Sequence, residues 1–277
     1  MSFKQINNVW IRGISACVPS FIESNADLAI LGDLKEAEKY IESTGVRQRH
    51  LVKDSGICTS DLCFEAAVKL IKDLNWSPGD IDCLIFVSQT HDYILPATSC
   101  ILQDRLGLNN ECFCLDISLG CSGWVYGLSV ISSLMADGVM KRGLLLVGDT
   151  TSVTKSSKDK STYPLFGDAG TASAIEFSNE SNRMVFNFGT DGKGFKAIMI
   201  PEGGFRNFYN SGSLVEKEAE PGIFRNNLHS ILDGPAVFSF GISKAPKSVN
   251  SLLGEYGISK DEIDFFIKGD KKMVAEL

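Results

Sequence analysis

The chain has 277 residues, 44% of them apolar and 22% charged, and a formal net charge of −7. That length can bury a sizeable core in one large or two smaller domains, and the apolar content excludes intrinsic disorder. The acidic balance, with no long basic run, argues against phosphate-backbone binding, so no nucleic-acid partner is expected.

The opening segment, MSFKQINNVW, has no charged-then-apolar pattern leading to a cleavage site, so no secretory signal is read there. No run of 18 apolar residues occurs, and no membrane insertion is expected. The eight cysteines (Cys17, Cys58, Cys63, Cys83, Cys100, Cys112, Cys114 and Cys121) all lie in the first 121 residues. They contain no CxxC pair, which gives no support to a zinc or thioredoxin-type site. Their crowding into one half does not resemble a disulfide framework, and a reducing cytoplasm fits best. Most sit among aliphatic residues, where a free thiol behaves as a small hydrophobe.

Residues 67–87, AVKLIKDLNWSPGDIDCLIFV, predict an amphipathic helix through Leu70, Ile71 and Leu74, then a turn capped by Ser77. Ile81-Asp82 then opens a buried strand. The same pattern returns 182 residues later without a gap, with Leu252, Leu253 and Tyr256 on the helix, Ser259 at the turn and Ile263-Asp264 beyond it. A helix-then-strand unit repeated in this way predicts two related α/β halves, 1–177 and 178–277. The first half continues with a helix near Ala97–Leu106, a strand near Cys112–Ile117 and a strand near Gly143–Gly148. It closes on FGDAGTASAIEF, Phe166–Phe177. Equal halves would need about eighty residues more than follow Ile267, so the second half is expected to be incomplete.

CFCLDIS, residues 112–118, reads as a strand buried on both faces, and Gly120 supplies a turn with backbone freedom. Val125, Leu128, Ile131, Leu134 and Met135 follow at helical spacing, with Gly138 as the stop. Gly123 and Gly127 allow this helix to pack closely. Cys121 then falls at a helix N-terminus, where free amides and the macrodipole favour a thiolate and can hold an oxyanion. The local pattern alone leaves a nucleophile and a buried core thiol both open. Cys112, Cys114 and Cys100 read as packing residues.

Several segments together resemble the β-ketoacyl-acyl carrier protein synthase III family. These are IRGISACVPS near the start, IESTGVRQRH at 41–50, THDYILPATSC at 90–100 and DISLGCSGWVYGL around Cys121. LLLVGDTTSVTKS, YPLFGDAGTASAIE and ILDGPAVFSFGISKAPKSVNSLL extend the likeness, with Pro246 expected to break or restart a helix. The resemblance implies a thiolase-like αβαβα fold of two duplicated halves, and a homodimer in which Leu95 reaches the partner's acyl pocket. It makes Cys121 the catalytic nucleophile, acylated from acyl-CoA and condensing with malonyl-acyl carrier protein, with no permanently bound cofactor and no metal. Leu95, Trp124 and Phe205 are the candidates for shaping the substrate pocket.

One departure stands out. The family pattern places a His directly after the strand that matches IDFFI, with an Asn about thirty residues later, and both polarise the malonyl carbonyl. Here Lys268, Gly269 and Asp270 follow Ile267. Thiol acylation is therefore expected with little condensation, and a non-catalytic oligomer subunit or a simple transacylase stands as the alternative. His91, His50 and His229 read as loop or structural histidines, and Lys271 and Lys272 as a solvated charge pair.

Overall fold

The structure is a computed structural model that describes residues 2–180 and 183–265. The expectations placed on Ile267, on Lys268, Gly269 and Asp270, and on Lys271 and Lys272 lie outside the described residues.

In chain order, the first elements are β1 (Ser2–Ile6), β2 (Val9–Cys17), β3 (Ile22–Ser24), α1 (Leu34–Thr44), β4 (Gln48–His50), α2 (Thr59–Asp73) and β5 (Cys83–Val87). There follow α3 (Thr98–Arg105), β6 (Phe113–Ile117), α4 (Gly123–Met135), β7 (Arg142–Asp149), β8 (Ala169–Phe177) and β9 (Met184–Phe188). The last are β10 (Ile198–Met199), β11 (Lys217–Glu220), β12 (Ile223–Arg225), β13 (Ile231–Leu232) and α5 (Gly234–Tyr256). They fall into two compact units. The larger runs from Ile6 to Arg183 and takes back residues 218–225. The smaller holds, of the described residues, 2–5, 184–217 and 226–265.

The larger unit is built on a five-stranded sheet in the order β2-β8-β7-β5-β6. β6, β5 and β7 run parallel, while β8 and β2 are antiparallel to their neighbours. β5 reads CLIFV and every residue of it is buried, as a strand covered on both faces requires. One face presents Leu84, Phe86, Leu144, Leu146, Ala172 and Ala174 to α2 and α3, which contribute Cys63, Ala66, Ala67, Leu70 and Leu102. On the other face, a Cβ on Gly127 would stand 2.7 Å from Leu145 Cδ1 and 2.9 Å from Val87 Cγ2, so α4 rests on the sheet through a bare backbone. The predicted role of Gly123 and Gly127 is thus what the structure shows.

β6 departs from its expectation. It is the edge strand, and Phe113 and Leu115 remain 38% and 36% exposed. The expectation missed this because an unbroken apolar run does not reveal whether a further strand lies alongside. Cys100, expected to pack, is exposed on α3.

In the smaller unit α5 runs unbroken for 23 residues with Pro246 inside it, so the predicted interruption does not occur. Proline removes one amide and one helical bond there, and the rest of the helix carries through. Asn187 Nδ2 donates to Ser248 O at 2.8 Å, which ties α5 to β9, and Tyr256 meets Phe3 edge-on at 6.4 Å.

The 182-residue repeat extends to individual hydrogen bonds. Trp76 N donates to Ile71 O at 3.0 Å, and Ile258 N donates to Leu253 O at 2.9 Å. Asn75 and Gly257 hold the matching left-handed positions, with φ of 52° and 61°. A short 3-10 turn follows in each copy, at Pro78–Asp80 and at Lys260–Glu262. Only the second copy uses its serine as read from sequence: Ser259 Oγ accepts from Asp261 N, whereas Ser77 makes no side-chain cap bond.

A buried ion pair closes the larger unit around 218–225. Asp159, fully buried, lies 2.7 Å from Arg225 Nε, and Ser156 Oγ donates to Phe224 O at 2.6 Å. Burial alone would raise the Asp159 carboxyl. The hydroxyls of Ser161 and Thr162, the Ser161 amide and Arg225 outweigh it and hold the group below its usual value. A carboxyl depressed by folding contributes stability that is present above its unfolded pKa and is lost as pH falls through the folded one. The urea-midpoint gap between wild type and Asp159→Asn should therefore be widest at neutral pH and should shrink below about pH 4. A gap that stays constant down to pH 3 would disprove this assignment.

Candidate active site

Cys121 lies on the turn that joins the C-terminal end of β6 to α4. This is the end of a parallel sheet where open α/β proteins place their ligands. The turn is held by Leu119 N donating to Ile117 O at 3.2 Å and by Gly123 N donating to Gly120 O at 2.7 Å. Cys121 is exposed and stands one residue ahead of the N-cap, Ser122, which makes no side-chain cap bond. The first amides of α4 are therefore not occupied by a capping side chain, and the positive end of the helix dipole lies beside the thiol. A thiolate or an oxyanion formed here meets donors that need no rearrangement.

Gly120 serves a purpose other than the predicted backbone freedom. Its φ is not positive, and what it provides is space: a Cβ there would fall 2.5 Å from Gln89 Oε1. The Gln89 side chain thus lies directly on the residue before the nucleophile. Its backbone is fixed in turn by Asp149 at the end of β7, whose Oδ1 accepts from Gln89 N at 2.7 Å, Ser88 Oγ at 3.0 Å and Thr90 Oγ1 at 3.1 Å. Thr59 on α2 joins this network, 2.7 Å from Thr90 Oγ1 and 3.1 Å from Thr150 Oγ1. None of these contacts is local in sequence. The glycine-aspartate pairing in VGDTT was the only visible hint.

Asp116, five residues before Cys121, caps a different helix. Its two carboxylate oxygens accept from Thr98 N and Ser99 N, each at 2.7 Å, and so cover the start of α3, whose own N-cap Ala97 has no side-chain acceptor. His91 Nε2 lies 4.0 Å from the same carboxylate, and its ring stands edge-on to the buried Phe86 at 5.9 Å. His50 Nδ1 pairs with Pro19 O at 2.6 Å, and His229 Nδ1 accepts from Asn226 N at 3.1 Å.

Asp168 of the FGDAG segment is buried behind the site. Its carboxylate accepts from Val52 N at 2.7 Å, Ser152 Oγ at 2.5 Å and Ser152 N at 3.0 Å. Gly170, two residues on, lets α2 approach: a Cβ there would sit 2.6 Å from the Leu62 carbonyl carbon.

The three pocket candidates belong to different elements of the chain. Trp124, in the first turn of α4, directs its indole Nε1 to Ser173 Oγ on β8 at 3.1 Å. Leu95 is 78% exposed at the tip of a loop with Tyr93 and Ile94. Phe205 belongs to the smaller unit, where it lies 6.2 Å from Phe208 between ring centroids. Among the described residues no group of three or more His, Cys, Asp or Glu is arranged to hold a metal ion, and no helix is long and apolar enough to cross a membrane.

The family model for 3-oxoacyl-[acyl-carrier-protein] synthase III matches residues 115–192, a span that contains Cys121, Asp149 and Asp168. A putative 3-oxoacyl-[acyl-carrier-protein] synthase 3 of Campylobacter jejuni is 31% identical over 93% of this chain and 73% of its own length. A β-ketoacyl-[acyl-carrier-protein] synthase III of Caldanaerobacter subterraneus is 34% identical over 93% of this chain and 74% of its own. Among solved structures, a 3-oxoacyl-(acyl carrier protein) synthase from Burkholderia xenovorans superposes with a TM-score of 0.89 at 36% identity. It covers 99% of this chain and 77% of that one. A crystal structure of a 3-oxoacyl-(acyl-carrier-protein) synthase III gives a TM-score of 0.90 at 33% identity, with 97% and 81% covered.

Proposed function

The chain belongs to the 3-oxoacyl-[acyl-carrier-protein] synthase III family of acyltransferases, with its thiolase-like α/β fold, and on that premise we propose that Cys121 is its acyl-carrying nucleophile. The observation that carries this reading is an exposed thiol on a tight turn, just ahead of a helix N-terminus without a side-chain cap. The Cys121 sulfur attacks the carbonyl of an acyl-CoA, the tetrahedral oxyanion is held by amides at the turn, and coenzyme A leaves as its thiol. The acyl group then passes to the carbanion formed when malonyl-acyl carrier protein loses CO2, which frees Cys121 and leaves a 3-oxoacyl product. Asp149 and Gln89 contribute by fixing the backbone around Gly120, so the nucleophile does not have to be ordered when substrate arrives.

Incubation with a short acyl-CoA followed by intact mass measurement tests the first step. One acyl mass is expected, mapping to a peptide that contains Cys121, and a protein that remains unmodified over hours would refute the reading. Adding malonyl-acyl carrier protein to the acylated protein tests the second. With Lys268 where the family pattern carries His, product formation is expected to lag well behind acylation. Condensation as fast as acylation would show that another group supplies that polarisation.

A further inference from the structure

β5 lies between β6 and β7, so the residues that leave its C-terminal end stand beside the turn that carries Cys121. Gln89 is the residue there whose side chain is not spent on the fold. Its backbone is fixed, because its own N–H and the hydroxyls of Ser88 and Thr90 all donate to Asp149 Oδ1. Its side chain is exposed and, among the described residues, has no hydrogen-bond partner. The carboxamide nevertheless lies on the turn. A Cβ on Gly120 would stand 2.5 Å from Gln89 Oε1, 3.2 Å from its Cδ and 3.8 Å from its Nε2. The two positions are matched: the residue before Cys121 has no side chain, and a neutral amide occupies the space this leaves. Within the turn, Leu119 N and Gly123 N are already committed to Ile117 O and Gly120 O. A negative charge developing on a group bound to Cys121 therefore finds some of the turn's donors spent, and an unspent side-chain donor beside them.

We propose that Gln89 is a second catalytic residue of this site, whose Nε2–H donates to the oxyanion formed when Cys121 attacks an acyl thioester. The inference rests on the reading of Cys121 as the acyl carrier. The Cys121 thiolate bonds to the carbonyl carbon and the C=O π pair moves onto oxygen, where the Gln89 donor meets the new charge. The oxyanion then collapses, the bond to the coenzyme A sulfur breaks, and the departing thiolate takes a proton from water. The same donor acts again when the carbanion attacks the Cys121 thioester, since that step also passes through a tetrahedral oxyanion. The terminal torsion of a glutamine is soft, so Nε2 turns toward the charge at little cost, while the fixed backbone keeps it within reach. Gln89 is neutral and has no proton to lose, so it donates equally across neutral pH.

The test compares two reactions of the same sulfur in the intact chain. Acylation by a short acyl-CoA passes through an oxyanion, whereas alkylation by iodoacetamide is a displacement at a methylene carbon and forms none. Both rates are read by mass at the peptide that contains Cys121. Gln89→Met keeps the length of the side chain and removes its donor, and because Gln89 is exposed the fold is expected to be unaffected. Acylation should fall by ~10²-fold while alkylation keeps the wild-type rate. Gln89→Glu keeps the shape and the acceptor oxygens but offers no donor at neutral pH, so it should acylate no faster than the methionine variant. A parallel fall of both rates in Gln89→Met would overturn the proposal, because it would leave Gln89 only a support of the turn. Wild-type acylation in Gln89→Glu would overturn it as well. A wild type that takes up no acyl group refutes the reading of Cys121, and this inference with it. A wild type and a Gln89→Met variant that acylate equally fast overturn this inference alone.

Discussion

Substituting Cys121 with alanine is expected to abolish the acyl adduct and to lower acyl transfer from coenzyme A by about 10⁴-fold or more, as removal of a covalent nucleophile does. The structure makes this a clean experiment. Cys121 is exposed and precedes the N-cap, and the bonds that hold the turn run through the backbone of Ile117, Leu119, Gly120 and Gly123. Losing the thiol should therefore cost no more than about 0.5 kcal/mol of stability, and urea unfolding of the variant should overlay the wild type. Serine at the same position keeps the shape but ionises far less readily, so an adduct should form only very slowly if at all. Cys100 is the other exposed thiol, and it marks the outcome that matters most. An adduct that survives in Cys121→Ala and maps to the Cys100 peptide would mean that acylation reports accessibility rather than a built site.

What the sequence disclosed here was local. CLIFV announces a strand covered on both faces, the spacing from Val125 to Met135 gives α4, and Gly123 and Gly127 mark the side on which that helix meets the sheet. The repeat was legible because its hydrogen bonds span only a few residues in each copy, from Ile71 to Trp76 and from Leu253 to Ile258. The support beneath the nucleophile was not legible, because every part of it crosses the chain. Asp149 reaches back 60 residues to Gln89, and Asp116 reaches back 17 and 18 residues to the start of α3. Gly120 illustrates the limit well. A glycine in a turn suggests unusual backbone angles, and only the position of Gln89 shows that it was the missing side chain that counted. Edge placement escaped detection for the same reason, since Phe113 and Leu115 look like core residues until the order of strands is known.

Asp168→Ala is expected to be the most destabilising polar substitution in the larger unit, at about 3–5 kcal/mol, because three donors turn toward that one carboxylate. Val52 N, Ser152 N and Ser152 Oγ all donate to it, and Asp168 itself is 2% exposed, so water cannot readily replace the lost acceptor. The effect should reach beyond the immediate contacts. Asp168 N donates to His50 O at 2.8 Å, which joins the β4 segment to the loop before β8, and Gly170 then admits α2. Relaxation of this loop would shift the surface against which Thr59 and Asp149 are arrayed, and with it the support of Gln89 and Gly120. Asparagine retains one acceptor oxygen for three donors and adds two donors with no assigned acceptor, so Asp168→Asn should fall between wild type and alanine. The ranking is checked by urea unfolding at pH 7 together with the rate at which iodoacetamide alkylates Cys121. A loss under 1 kcal/mol in Asp168→Ala with unchanged alkylation would show that the FGDAG carboxylate is dispensable to the fold and to the site.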